Sequence, residues 1–93
     1  MSPLLSQTQI QEQSRSIPEW AIEGKELKLT KKFKGFVEAV EFVNRLVDPA
    51  ERSGHHPDLE ISYNTVKVSL TSHDAGGLTE KDFALAKIIS SLD

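Results

Sequence analysis

The segment from residue 59 to residue 70 constrains the fold most, because apolar and polar residues alternate along it with a period of two. The alternation runs through Leu59, Ile61 and Tyr63, pauses at Asn64-Thr65, and resumes over residues 66–70. A strand with one buried face produces this pattern. The segment therefore predicts an antiparallel hairpin with its turn at Asn64-Thr65.

The amino-terminal part of the chain predicts two further features. Residues 3–13 are weakly amphipathic and predict a short helix opened by Ser2 and Pro3, or a frayed arm. Residues 20–22 and 27–30 each place apolar side chains on one face of a strand, and together they predict a first hairpin.

Two further helices are predicted on either side of the second hairpin. Residues 35–48 place apolar side chains at steps of three and four, and one more turn before Gly54 extends this helix. Thr79 begins the last helix, with Asp82 three residues on in the reciprocal capping position. The first of these two helices is expected to carry a broad apolar stripe. It consists of Phe36, Val40, Val43 and Val47, flanked by Val37, Ala39 and Leu46.

The order of elements is αββαββα, without an internal repeat. Antiparallel hairpins alternating with helices predict an α+β fold, in which helices pack on one face of a four-stranded antiparallel sheet. We expect residues 1–15 to form an arm or short helix and residues 16–93 to form one domain.

Composition excludes several classes of protein. The chain of 93 residues has 11 Lys and Arg against 14 Asp and Glu, a net charge of −3, which argues against direct nucleic-acid binding by bulk electrostatics. It has no cysteine, so disulfide scaffolds and thiolate chemistry are excluded. We expect neither a signal peptide nor a membrane association, and the simplest location is the cytoplasm.

The three histidines of the chain are the candidate catalytic groups. His55 and His56 precede the third strand and His73 follows the fourth, so a hairpin brings them to the same end of the sheet. Adjacent histidines in a polar loop are often only solvated. Zinc takes imidazole ligands, but adjacent side chains diverge and do not easily share one metal. General acid–base chemistry fits better, because imidazole exchanges a proton near neutral pH.

Three other side chains have both a functional and a purely structural interpretation. Glu51 and Asp82 lie where a carboxylate could orient an imidazole, although Glu51 could be an exposed residue of a helix end and Asp82 only a helix cap. Trp20 is the single tryptophan, and a tryptophan in a strand is more often core than a binding platform.

The spacing of these residues resembles the signature of the pterin-4a-carbinolamine dehydratase family. The pattern in this chain is Glu51-x3-His55-His56-Pro57-x5-Tyr63-x9-His73-x8-Asp82. The resemblance extends to the αββαββα order and to a tryptophan at the start of the first strand. A departure is Glu19, where members of the family often have glycine.

The resemblance implies a lyase that dehydrates 4a-hydroxytetrahydrobiopterin, or a related carbinolamine, to the quinonoid dihydropterin during tetrahydrobiopterin recycling. It implies no metal and no organic cofactor, with the pterin as substrate, and a homodimer or homotetramer. His55 and His73 would serve as acids on either face of the ring, and His56 would contact the pterin. A supporting or substrate-binding role is implied for Glu51, Pro57, Asp82 and Trp20, with Trp20 at the mouth of the pocket.

An alternative from a different class stays open. Proteins of this fold also act as a transcription cofactor or as assembly factors, so a non-catalytic binding module could retain the same residues. Replacement of the histidines separates the two hypotheses, because only the enzyme depends on them for turnover.

Overall fold

A computed structural model describes residues 3–92 of the chain. The seven elements follow the predicted order, which confirms the α+β class. None of the helices in the described residues is long and apolar enough to cross a membrane, and the cytoplasmic location stays a prediction. The elements are α1 (Gln7–Ser14), β1 (Ala21–Glu23), β2 (Glu26–Lys32), α2 (Phe36–Ser53), β3 (Asp58–Ser62), β4 (Thr65–Leu70) and α3 (Glu80–Ser90).

The four strands form one antiparallel sheet in the order β1-β2-β4-β3. The register places Leu27 opposite Leu70 and Leu29 opposite Val68, and all four side chains are buried beneath α2 and α3. The side chains that alternate with these face away from the helices and are polar. They include Lys28, Thr30, Lys67 and Ser69, which line a broad depression of about 440 Å³.

The helix α1 begins later than expected. Ser6, not Pro3, precedes its first residue, because the Ser6 hydroxyl accepts from the Gln9 amide while the Gln9 side chain accepts from the Ser6 amide. Ser2, the other expected start residue, lies outside the described residues. The segment packs on the rest of the chain, since the Leu5 amide donates to the Leu78 carbonyl at 3.0 Å.

The helix α2 buries one side of the expected broad stripe. Its buried residues are Ala39, Phe42, Leu46 and Ala50, whereas Phe36 and Val47 are more than half exposed. The expected centre of the stripe is displaced, because the apolar side of α2 is wider than its contact with the sheet and the period alone does not show which part is covered. The helix also continues past Pro49 to Ser53 and ends at Gly54, as expected.

Two local expectations in the carboxyl-terminal half are corrected. The turn between β3 and β4 is formed by Tyr63 and Asn64, one residue earlier than expected, and Tyr63 takes a left-handed backbone with φ of 52°. The Tyr63 side chain is 67% exposed instead of packed on the strand. In α3, by contrast, the expected capping box of Thr79 and Asp82 is confirmed.

We predict that Gly54→Ala destabilises the fold by about 1–2 kcal/mol, because Gly54 has φ of 63° and an L-residue is strained there. An added Cβ at Gly54 meets no atom within 4 Å, so strain is the whole cost. The matched control is Gly35→Ser at the other end of α2, where φ is −163°. It should stay within about 0.5 kcal/mol of the native value in urea unfolding. Equal destabilisation by both variants would contradict this account.

Candidate active site at the facing ends of α2 and α3

The end of α2 positions the adjacent pair of histidines. Gly54 turns the chain out of the helix, and the His55 amide still donates to the Ala50 carbonyl at 3.2 Å. His55 and His56 therefore leave the last turn of α2 with a fixed backbone. Their side chains diverge to two different carboxylates, as expected of successive residues.

His55 contacts the buried carboxylate at the start of α3. Its Nε2 lies 2.6 Å from Oδ1 of Asp82, and the side chain of Asp82 is 0% exposed while that of His55 is 13% exposed. The other oxygen of Asp82 accepts from the Thr79 amide at 2.9 Å. One oxygen of Asp82 therefore caps α3, as the structural interpretation expects, and the other contacts His55, while the functional role of Asp82 stays a prediction.

His56 contacts a second carboxylate in a solvated environment. Its Nε2 lies 2.6 Å from Oε2 of Glu51, on the last turn of α2, and both side chains are more than 60% exposed. The pair lies at one end of an apolar groove of about 270 Å³ between α2 and β3. The other residues that line this groove are Val43, Leu46, Val47, Ala50, Pro57 and Leu59.

His73 lies in the loop after β4 and is exposed. It borders a separate depression of about 240 Å³ with Lys25 and Gly77. Its neighbour Ser72 is buried and bonds to Asp82, so the His73 backbone is tied to the His55–Asp82 pair. The hairpin brings the three histidine backbones to one end of the sheet, but within one chain His56 and His73 border different depressions.

The structure does not bring Trp20 to this cluster. Trp20 is 6% exposed in the core, and its indole N–H donates to Oγ of Ser90 at 2.8 Å. Ser90 is eight residues beyond Asp82, about 12 Å along α3. Within one chain the Trp20 ring lies in the core at the opposite end of α3, and its expected position at the mouth of the pocket stays a prediction.

The sequence analysis missed one polar residue of the site. Ser72 is 3% exposed, and its hydroxyl lies 2.9 Å from Oδ2 of Asp82 and 2.9 Å from Oγ1 of Thr79. A serine between a strand and a loop has no distinctive sequence spacing, so only its position next to His73 could have indicated a role in the site. Over residues 3–92, no group of three or more His, Asp or Glu side chains is arranged to hold a metal ion.

Comparison with known proteins places this geometry in a family. The model of the family described as pterin 4 alpha carbinolamine dehydratase matches residues 3–92. A protein of a Nostoc species, whose name assigns it provisionally to the pterin-4-alpha-carbinolamine dehydratases, is 58% identical over 93 residues, and the match covers 100% of both chains.

Two solved structures share the fold. A Brucella melitensis protein described as a transcriptional coactivator/pterin dehydratase superposes with a TM-score of 0.88 at 30% identity, covering 94% of this chain and 95% of that one. A pterin dehydratase-like protein described as a RuBisCO assembly factor of the alpha-carboxysome has a TM-score of 0.63 at 20% identity, covering 81% and 93%. At 20% identity, the similarity to the RuBisCO assembly factor shows only a shared fold. With the family model matched over residues 3–92, this chain belongs to the pterin 4 alpha carbinolamine dehydratase family.

Proposed function

We propose that this protein is a hydro-lyase that dehydrates a 4a-hydroxytetrahydropterin to the quinonoid dihydropterin, as in tetrahydrobiopterin recycling. The observation that carries the proposal is a pair of adjacent imidazoles, each held at 2.6 Å by its own carboxylate. A carboxylate partner orients an imidazole and stabilises its protonated form. Two such pairs side by side supply a proton donor and a proton acceptor.

The reaction needs only proton transfers. The C4a–O bond breaks as the hydroxyl takes up a proton and leaves as water, the N5–H bond gives up its proton, and the C4a=N5 double bond forms. Atoms and charge balance without an oxidant or a reductant. We therefore propose that the pterin is the substrate and that no metal or organic cofactor takes part, so turnover should survive dialysis against a chelator.

The two imidazole pairs suit different parts of this elimination. Nε2 of His55 is engaged by Asp82, which leaves Nδ1 as the ring nitrogen that meets a ligand. His56 is exposed beside the apolar groove, where a planar ring could lie against Pro57. We assign the proton transfers to His55 and His56, with Asp82 and Glu51 as their positioning carboxylates.

His73 offers the same acid–base chemistry from the loop after β4. Its ring makes no hydrogen bond within residues 3–92 and is open to solvent beside Lys25. We propose that the His73 ring hydrogen-bonds to the leaving hydroxyl once the substrate is bound, from the side opposite His55, and so assists the proton transfer.

We predict that His55→Ala and His56→Ala each slow the catalysed dehydration by about 10²–10⁴-fold, because each removes one acid–base group. The measurement is stopped-flow decay of 4a-hydroxytetrahydropterin generated in situ, with the spontaneous rate subtracted at each pH. The matched control is Arg52→Ala on the same turn of α2, whose ion pair with Asp48 is exposed. It should keep native turnover.

Native protein that is folded and gives no acceleration would overturn the dehydratase proposal. The alternative would then be a non-catalytic binding or assembly module of the same fold. Native turnover in the double variant His55→Ala, His56→Ala would likewise show that the two imidazoles do not carry the reaction.

We further propose that the protein is a homo-oligomer that assembles through α2 and β3. The strand β3 is an edge strand with unpaired backbone groups, and its apolar side chains extend beyond the cover of α2. Several large apolar side chains on α2 and β3 are exposed, and such exposure is typical of protein contacts. The exposed side chains, which together we call the α2–β3 surface, are Phe36, Val37, Val47, Leu59, Ile61 and Tyr63.

We predict that Ile61→Lys reduces the oligomer to a smaller species in sedimentation velocity, because it places a charge in the centre of the α2–β3 surface. The matched control is Ile22→Lys on β1, the opposite edge of the sheet, where the native residue is similarly exposed. The control should sediment as the native protein does. A native monomer, or an unchanged assembly in Ile61→Lys, would contradict the proposed interface.

A further inference from the structure

Ser72 is a buried polar residue for which the proposed chemistry has no role so far. Its backbone holds the loop after β4, because the Ser72 amide donates to the Gly77 carbonyl and its carbonyl accepts from Gly76 and Gly77. Its side chain points the other way, to Asp82 at 2.9 Å. A substitution of the hydroxyl therefore leaves the backbone contacts of the loop in place.

The direction of the hydrogen bonds around Ser72 follows from the partners. An ionised carboxylate only accepts, so the Ser72 hydroxyl donates to Oδ2 of Asp82. Its oxygen is then the acceptor for the Thr79 hydroxyl at 2.9 Å, and Oγ1 of Thr79 accepts in turn from the Lys81 amide at 3.3 Å. The hydrogen bonds of this series therefore all point the same way, from the Lys81 amide through Thr79 and Ser72 to Asp82.

These hydrogen bonds affect His55 because the Asp82 carboxylate contacts both Ser72 and His55. Oδ2 of Asp82 is saturated by the Ser72 hydroxyl and the Thr79 amide, and Oδ1 is left to His55. The hydrogen bond at one ring nitrogen sets the tautomer of a neutral imidazole. His55 therefore carries its proton on Nε2 and exposes Nδ1 as an acceptor. In the described part of the chain no buried side-chain nitrogen or oxygen lacks a partner, so Nδ1 is not sealed inside the core.

We propose that Ser72 is a positioning residue that holds the Asp82 carboxylate in place, so that Asp82 keeps Nε2 of His55 engaged and proton exchange with the substrate takes place at Nδ1 of His55. The part of this proposal that concerns turnover rests on the proposed dehydratase function. The part that concerns the tautomer rests only on the geometry of Ser72, Asp82 and His55.

The test compares Ser72→Ala with Ser72→Thr by ¹⁵N NMR of the histidine ring nitrogens in the full chain, at a pH well above the ordinary histidine titration range. In the native protein and in Ser72→Thr, which keeps the hydroxyl, the His55 signals should be those of the Nε2–H tautomer. In Ser72→Ala a second set of signals should become populated, from His55 rings that Asp82 no longer holds and in which the proton exchanges between Nε2 and Nδ1. His56 bonds to Glu51 and serves as the internal reference, unchanged throughout.

The kinetic part of the test separates positioning from stability. Ser72→Ala should lower kcat by about tenfold, the rate equivalent of one hydrogen bond, with KM little changed. The matched control is Ser90→Ala, which removes the hydroxyl that accepts from Trp20 at the far end of α3. This control should lose stability and keep both the native His55 signals and the native kcat. If Ser72→Ala does not fold, Ser72→Cys provides a weak donor of similar size and should give an intermediate shift.

Native tautomer signals in Ser72→Ala would overturn the proposal, as would the same change in Ser90→Ala. Absence of turnover in the native protein would instead contradict the dehydratase function, and the ring signals would still decide the role of Ser72.

Discussion

The buried carboxylate of Asp82 is the interaction on which the rest of the site depends. A charge with no exposure to water is stable in a protein only if its oxygens are satisfied, and Asp82 receives donors from Ser72, Thr79 and His55. Thr79 is three residues before Asp82 and Ser72 is ten residues before it, whereas His55 is 27 residues away in the sequence. The carboxylate therefore joins the end of α2, the loop after β4 and the first turn of α3.

The two histidine–carboxylate pairs have the same distance and different surroundings. In the His55–Asp82 pair the carboxylate is fully buried, whereas in the His56–Glu51 pair both side chains are more than 60% exposed. Salt screens an exposed ion pair, so breaking it changes the free energy of unfolding little. Removal of one partner from a buried pair is strongly destabilising, because it leaves the other charge buried and unpaired. We therefore expect the His55 ring to be held more firmly than the His56 ring.

The sequence alone predicts the elements whose signals are local. The period-two alternation identifies the β3–β4 hairpin, Gly54 marks the end of α2, and the spacing of Thr79 and Asp82 marks the start of α3. It does not predict which side of α2 is buried, since Phe36 and Phe42 are equally apolar and only the sheet decides between them. It also does not predict Ser72 as a partner of Asp82, because that contact depends on the path of a loop.

The position of Asp82 within the capping box makes the first turn of α3 a reporter of the site. The Thr79 amide hydrogen is donated to the same carboxylate that holds His55. Hydrogen exchange at that amide requires the capping box to open, and opening frees the carboxylate that orients the imidazole. Local opening of the helix end and release of His55 are therefore expected to be coupled through one carboxylate, so hydrogen exchange at Thr79 should report on both.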